Sequence, residues 1–543
     1  MHCAGSSYGS LPLHTTKDDI IFFKCYHERL GIFTHFHVVA VDSADVTVSR
    51  SAAMAAAVGT VADGPIKGVP MIPNPSWIMG HLSILFEREF RTRMYRFSVE
   101  YADDQGRCTF WMGPTVVGLS VTSPDDVQLL LKSSSHRTLL SFIARHLYRV
   151  FGDRNIGTLS GKMWKTQRSS VSRALHSAVQ RDHLKRAIVS SSQILLNRLL
   201  IEAEFGNTEY ELLHLMKILT MDTFGQAALN VELQCCEKLQ LSRIATAMEF
   251  LVSSMMKRMT SGMFNPASQL YFWPTEENRR HHEERSYLQS VINDLVHKRR
   301  QLLHDKREDA PEDLLTELIR VAEESEDALS DQTLTDTVAS LFLAGYETTS
   351  VTLTYMIYML SQHPDVETLV LEELAAASSC HHYVEAVIKE TMRLHPPATI
   401  TNRTLEKTVK LDKNVTAPKG TYLYFPIWVI QRNPKTFPRP EEFLPERWVC
   451  RDDNGEWVPR TSDMAVDSDI PCGDPRGFVA FSAGARSCPG QRFAMEEMIA
   501  SLQVLLPRLR FTPADGYVLE PERPGLIQLP KGGVPVRITA RKR

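Results

Sequence analysis

The chain has 543 residues, 23% of them charged and 43% hydrophobic, with a formal net charge of −3. That near balance of sign excludes a polyanion such as nucleic acid as an electrostatic partner. Nine cysteines, an odd number with no CxxC pair, exclude a disulfide framework and suit a reducing compartment.

In chain order, residues 1–64 carry no defensible targeting signal. The apolar run 20–41 is interrupted by Lys24, Glu28 and Arg29 and falls short of a spanning helix. The Ala-rich stretch 51–62 is too short to span and lacks the arginines of a transit peptide, and Met54 within it is an alternative start. Pro65, Pro70, Pro73 and Pro75 form a stiff lead-in between the N-terminal segment and the globular body, so the fold is expected to begin here. Residues 107–112 and 116–122 alternate as a hairpin around Gly113-Pro114, and Ser123-Pro124 then predicts a capped helix start. Residues 125–395 read as mainly helical with no internal repeat, and short strands and turns follow His395-Pro396-Pro397. The fold class is therefore mainly α with small β-sheets (α+β).

The residues suited to chemistry follow the same order. Trp164 and Arg168 are four apart on a predicted helix, which sets an indole donor beside a guanidinium able to grip an anion. Met248, Met255, Met256, Met259 and Met263, followed by Tyr271-Phe272-Trp273, read either as helix core or as the adaptable roof of an apolar pocket. Residues 337–360 hold one formal charge, Glu347, and hydropathy alone reads them as a membrane span. Against that, Gly345, Glu347 and Thr348 put a glycine, an acid and a hydroxyl together in mid-helix. There the glycine would open space above a flat cofactor, and the acid and hydroxyl would relay protons. Glu390 and Arg393 share a helix face, and Arg447 in Pro445-Glu446-Arg447 is a candidate to complete a buried structural triad with them. Arg403 is a further candidate anion contact.

The segment Phe481-Ser-Ala-Gly484-Ala-Arg486-Ser-Cys488-Pro-Gly490 reads as a haem-iron ligand loop. Gly484 and Gly490 permit tight turns, and a helix starting beyond Pro489 would aim amide dipoles at the sulfur and favour its thiolate. Arg486 is placed to pair with a propionate. A thiolate axial ligand favours O–O cleavage, so the loop implies oxygen activation rather than carriage.

Taken in order, Trp-x-x-x-Arg, Ala-Gly-x-Glu-Thr-Thr, Glu-x-x-Arg, Pro-Glu-Arg and Phe-x-x-Gly-x-Arg-x-Cys-x-Gly resemble the signatures of the cytochrome P-450 superfamily of eukaryotic type, over residues 65 to the C-terminus. The resemblance implies a triangular helical fold binding haem b, with Cys488 as proximal iron ligand and Thr348 and Glu347 in a distal proton relay. Trp164, Arg168, Arg403 and Arg486 look like the propionate contacts. It further implies a monooxygenase using O2, a small apolar substrate, and electrons from an NADPH-dependent reductase or a ferredoxin, with membrane association at the endoplasmic reticulum. The alternatives are a haem-thiolate hydroperoxide isomerase or dehydratase, and a decayed haem-binding relative. Three departures stand out: only eight residues separate Leu374 from Tyr383, Ala480 replaces the usual proline before Phe481, and the N-terminal anchor of microsomal members is missing.

Overall fold

The computed structural model describes residues 64–73, 90–112, 115–137, 141–176, 178–260, 273–305, 310–324, 330–376, 380–461, 472–521 and 527–541. The first 63 residues, Gly113 and Pro114, and Met263, Tyr271 and Phe272 lie outside them.

The helices are α1 (Phe90–Glu100), α2 (Pro124–Ser133), α3 (Ser141–Phe151), α4 (Gly161–His176), α5 (Ala178–Glu204), α6 (Leu212–Phe224), the short α7 (Cys235–Lys238), α8 (Arg243–Thr260), α9 (Glu276–His304), α10 (Leu314–Glu324), α11 (Asp331–Gln362), α12 (Pro364–Ala375), α13 (His382–Leu394), the short α14 (Ile427–Ile430) and α15 (Gln491–Leu505). The strands are β1 (Arg107–Met112), β2 (Val116–Val121), β3 (Glu209–Glu211), β4 (Thr401–Thr404), β5 (Val409–Lys410), β6 (Thr416–Ala417), β7 (Tyr422–Phe425), β8 (Val449–Arg451), β9 (Trp457–Pro459), β10 (Leu509–Pro513) and β11 (Pro535–Ala540). The mainly helical α+β class read from the sequence is the one observed.

The β1–β2 hairpin pairs Arg107 with Val121 and Met112 with Val116. It extends through a parallel β2–β7 pairing and an antiparallel β7–β4 pairing into a four-stranded sheet. A three-stranded sheet of order β10–β11–β3 closes the far end. Ser123 starts α2 as read: its hydroxyl accepts from the Asp126 amide, with Pro124 at the first helical position.

α11 is the axis of the molecule, packed against α6, α9, α13 and α15. Ser330 caps its start by accepting from Thr333, and Pro364 opens the next helix directly beyond His363. α11 is buried along most of its length, and several of its hydroxyls are satisfied within the helix. Thr337, Thr352 and Thr354 each donate to the carbonyl four residues back, at 2.6, 2.9 and 2.7 Å. Residues 337–360 are thus the heart of a packed core, and no helix among the described residues is long and apolar enough to cross a membrane.

The short connection before Tyr383 is closed by Glu373. Its carboxylate accepts from the amides of Tyr383 at 2.9 Å and Val384 at 2.8 Å, so the end of α12 supplies the missing cap of α13.

Candidate active site

The cysteine loop is shaped by its backbone. A 3-10 turn spans Gly484–Arg486, and Gly484 adopts φ +69°, where a Cβ would lie 2.4 Å from the Leu131 carbonyl oxygen, so only glycine fits. The Cys488 amide donates to the Phe481 carbonyl at 2.8 Å, which closes the loop on itself. Gly490 is the N-cap of α15, two residues beyond the cysteine, so the positive end of that helix lies beside the sulfur. Cys488 is exposed. Its thiol is nevertheless recessed among protein atoms, and desolvation raises its pKa, against the Gly490 amide and the Arg168 guanidinium, which both favour the thiolate.

Four guanidiniums gather around this loop. Arg486 donates to the carbonyls of Ser135 at 2.8 Å and Leu159 at 2.5 Å and lies 3.9 Å from the centroid of the Trp164 ring. Arg403, fully buried on β4, donates to the Asn402 carbonyl at 2.7 Å and the Ser482 hydroxyl at 3.1 Å. Arg137 shares the Thr401 hydroxyl with Arg403, at 3.3 and 3.0 Å. Burial and mutual repulsion lower the pKa values of Arg403 and Arg486 to about 9, and burial lowers those of Arg137 and Arg168. Among the described residues, Glu406 is the one carboxylate acting on Arg486, and the Nε atoms of Arg137 and Arg403 are buried without a hydrogen-bond partner. A buried cationic cluster with orphaned donors fits a ligand that brings its own carboxylates, as haem b does. Arg137 was missed in the sequence because no spacing ties it to the other three.

On α11, Ala344 is exposed and Thr348 half-buried, four residues apart on one face of a helix otherwise packed in core. The Thr348 hydroxyl donates to the Ala344 carbonyl at 2.7 Å. Gly345 also serves the packing of α11 against α6. Its missing Cβ makes room for the Phe224 ring, which a Cβ would approach to 2.5 Å. Glu347 is buried and pairs with Lys217 of α6 at 3.6 Å, an ion pair that no local motif announces. Burial raises its pKa and Lys217 opposes the shift.

Glu390, Arg393 and Arg447 meet in a fully buried cluster. Arg393 grips Glu390 with two bonds of 2.9 and 2.8 Å, and Arg447 donates to the same carboxylate at 3.2 Å. The Trp448 indole and the Leu444 amide, both at 3.0 Å, complete its acceptor set. Arg393 also reaches the carbonyls of Gln431, Pro440 and Glu442 and so ties α13 to the irregular segment ahead of the cysteine loop. Met248 and Met255 are fully buried in the main core.

The fold is mainly helical and sets a glycine-turned cysteine at a helix start, a buried Glu–Arg–Arg cluster and a group of guanidiniums around one loop. The cytochrome P450 family matches residues 70–535, and the chain belongs to that family. Among curated relatives, rat cytochrome P450 4F1 is 25% identical over 87% of this chain and 90% of its own length. Human cytochrome P450 4F12 is 23% identical over 86% and 89%. Mouse leukotriene-B4 omega-hydroxylase 3 is 24% identical over 87% and 90%. Membership makes the chain an oxidoreductase of the monooxygenase class.

Proposed function

We propose that residues 65–543 form one haem-binding unit that inserts an oxygen atom of O2 into an apolar organic substrate, with electrons drawn from NADPH through a separate reductase or ferredoxin. The observation that carries this reading is the exposed Cys488 at the start of α15 beside four guanidiniums, on which Glu406 is the one carboxylate acting among the described residues. Haem b bound through the Cys488 thiolate would supply oxygen activation, since a thiolate ligand favours O–O cleavage. Arg137, Arg168, Arg403 and Arg486 would hold its propionates, Trp164 would steady Arg486, and Phe481 and Gly490 would frame the ligand loop. Thr348 holds a proton at its Oγ1 on the open face of α11, and Glu347 is the adjacent acid that can replace it. The name of one relative, leukotriene-B4 omega-hydroxylase 3, supports hydroxylation as the reaction, and the family supports a setting at the endoplasmic reticulum membrane.

The test is the reduced carbon-monoxide difference spectrum of the wild-type chain and of Cys488→Ser. The red-shifted Soret band of a thiolate-ligated haem is expected in the first and absent from the second. A wild-type chain without that band overturns the reading. Turnover of a lipid hydroperoxide without NADPH would instead mark an isomerase.

A further inference from the structure

Lys217 is the only lysine or arginine in α6, whose sequence is otherwise Leu-Leu-His-Leu-Met before it and Ile-Leu-Thr-Met-Asp-Thr-Phe after it. Its side chain is 10% exposed, and an ammonium so placed costs several kcal/mol unless it is paired. Two carboxylates from two other helices take it. Oε1 of Glu249, on α8 and 39% exposed, lies 2.8 Å from the ammonium, and Oε1 of Glu347, on α11 and 5% exposed, lies 3.6 Å away. The groups acting on Glu347 are therefore Lys217 from α6, Glu249 from α8 and Tyr346 from α11 itself. Lys217 is the one cation among them, and it makes its shorter contact with the exposed acid.

We propose that Lys217 is the positioning residue of Glu347, drawing the buried carboxylate toward α6 in its ionised form, and that Glu249 competes for the same ammonium. This rests on the reading of Glu347 as the acid beside Thr348. An acid that gives up and regains protons needs an environment that stabilises neither form strongly. Burial alone would lock Glu347 neutral, and an unshared lysine would lock it ionised. A lysine divided between Glu347 and a solvent-exposed competitor holds it between these limits, and it makes the ionisation of a residue on α11 depend on where α8 stands.

The arrangement predicts opposite shifts from its two partners. Removing the cation in Lys217→Met leaves burial and the negative Glu249 acting on Glu347, so Glu347 should titrate at higher pH, by about one unit or more. Removing the competitor in Glu249→Gln gives Lys217 wholly to Glu347, which should titrate lower. Lys217→Arg keeps the charge and should restore most of the wild-type behaviour.

The measurement is a series of pH-difference infrared spectra of the haem-loaded full chain, with the Glu347 carboxyl band identified as the one that Glu347→Gln removes. It needs no turnover, so it fails or succeeds separately from the proposed reaction. Shifts of opposite sign in Lys217→Met and Glu249→Gln support the proposal. A Glu347 band that titrates as wild type in both overturns it, as does a band that moves in the same direction in both. Should Lys217→Met not fold, the downward shift in Glu249→Gln, a change at a part-exposed side chain, decides alone.

Discussion

The Arg486 guanidinium lies 3.9 Å from the centroid of the Trp164 ring, which joins the cysteine loop to α4 across more than three hundred residues of chain. The ring covers a cation whose remaining partners are carbonyls and the Ser160 hydroxyl, so it fixes the direction of Arg486 without neutralising it. Trp164→Ala should therefore weaken haem retention severalfold, in line with about 1–2 kcal/mol for a desolvated cation–π contact. Trp164→Phe should keep most of it. Haem titration of the two variants followed at the Soret band checks this, and equal retention in wild type and Trp164→Ala would show that the stacking is incidental.

Arg403 makes a related prediction with a sign attached. Burial first, then repulsion from Arg137 and Arg486, brings its pKa to about 9, below the unfolded value. A cation depressed in this way destabilises the folded chain wherever it is charged, and that penalty fades as pH rises above about 9. In the haem-free chain the Arg403 charge is a liability, and an anionic ligand turns it into an asset. Arg403→Met should thus reduce haem retention more than it lowers the urea midpoint of the haem-free chain. The reverse order would mark Arg403 as scaffold.

The Glu390 carboxylate accepts hydrogen bonds from Arg393, twice, and from Arg447, Trp448 and Leu444. Glu390→Ala would strand two fully buried guanidiniums at a cost of about 3–5 kcal/mol. Soluble yield and the urea midpoint should collapse together, while any folded fraction keeps the wild-type haem spectrum. A normal midpoint with an altered spectrum would assign the cluster to the haem site itself.

What the sequence made legible is what lies close along the chain. The Glu390–Arg393 pair needed one helical turn, the cap at Ser123 three residues, and the cysteine loop ten, and local stereochemistry settles each of these. Relations between distant segments were not legible. Nothing near Lys217 announces Glu347, 130 residues away, and Arg137 joins Arg403 only because both reach the Thr401 hydroxyl. The contact of Gly345 with Phe224 was not legible for the same reason. Its neighbour Phe224 sits on another helix, and a helical glycine can face a packed ring as readily as open space. Trp164 was paired with Arg168 by spacing, whereas the cation over its ring is Arg486.

Glu373 turns the short link before Tyr383 into a constraint. Its carboxylate satisfies two amides in the first turn of α13, the helix that carries Glu390 and Arg393. Glu373→Ala should lower stability by about 1–2 kcal/mol, as the loss of a side-chain cap does. Glu373→Asp, one methylene shorter, should recover part of this. Urea denaturation monitored by far-UV circular dichroism measures both. An unchanged midpoint in Glu373→Ala would mean that water replaces the carboxylate at no cost.

Glu497 is 1% exposed on α15, and among the described residues neither of its carboxyl oxygens lies within hydrogen-bond geometry of a donor. The polar group acting on it is the Thr349 hydroxyl of α11, and burial raises its pKa well above the ordinary range. The folded chain then keeps a proton that the unfolded chain releases near the normal glutamate value of about 4.3. More protons in the folded state mean that stability falls as pH rises past that value. Glu497→Gln keeps the shape of the neutral acid and cannot ionise, so it should match wild type near pH 4 and be the more stable of the two near pH 7. Unfolding midpoints of the two proteins across that range provide the comparison. A variant less stable than wild type at both ends would show instead that Glu497 works as a paired carboxylate.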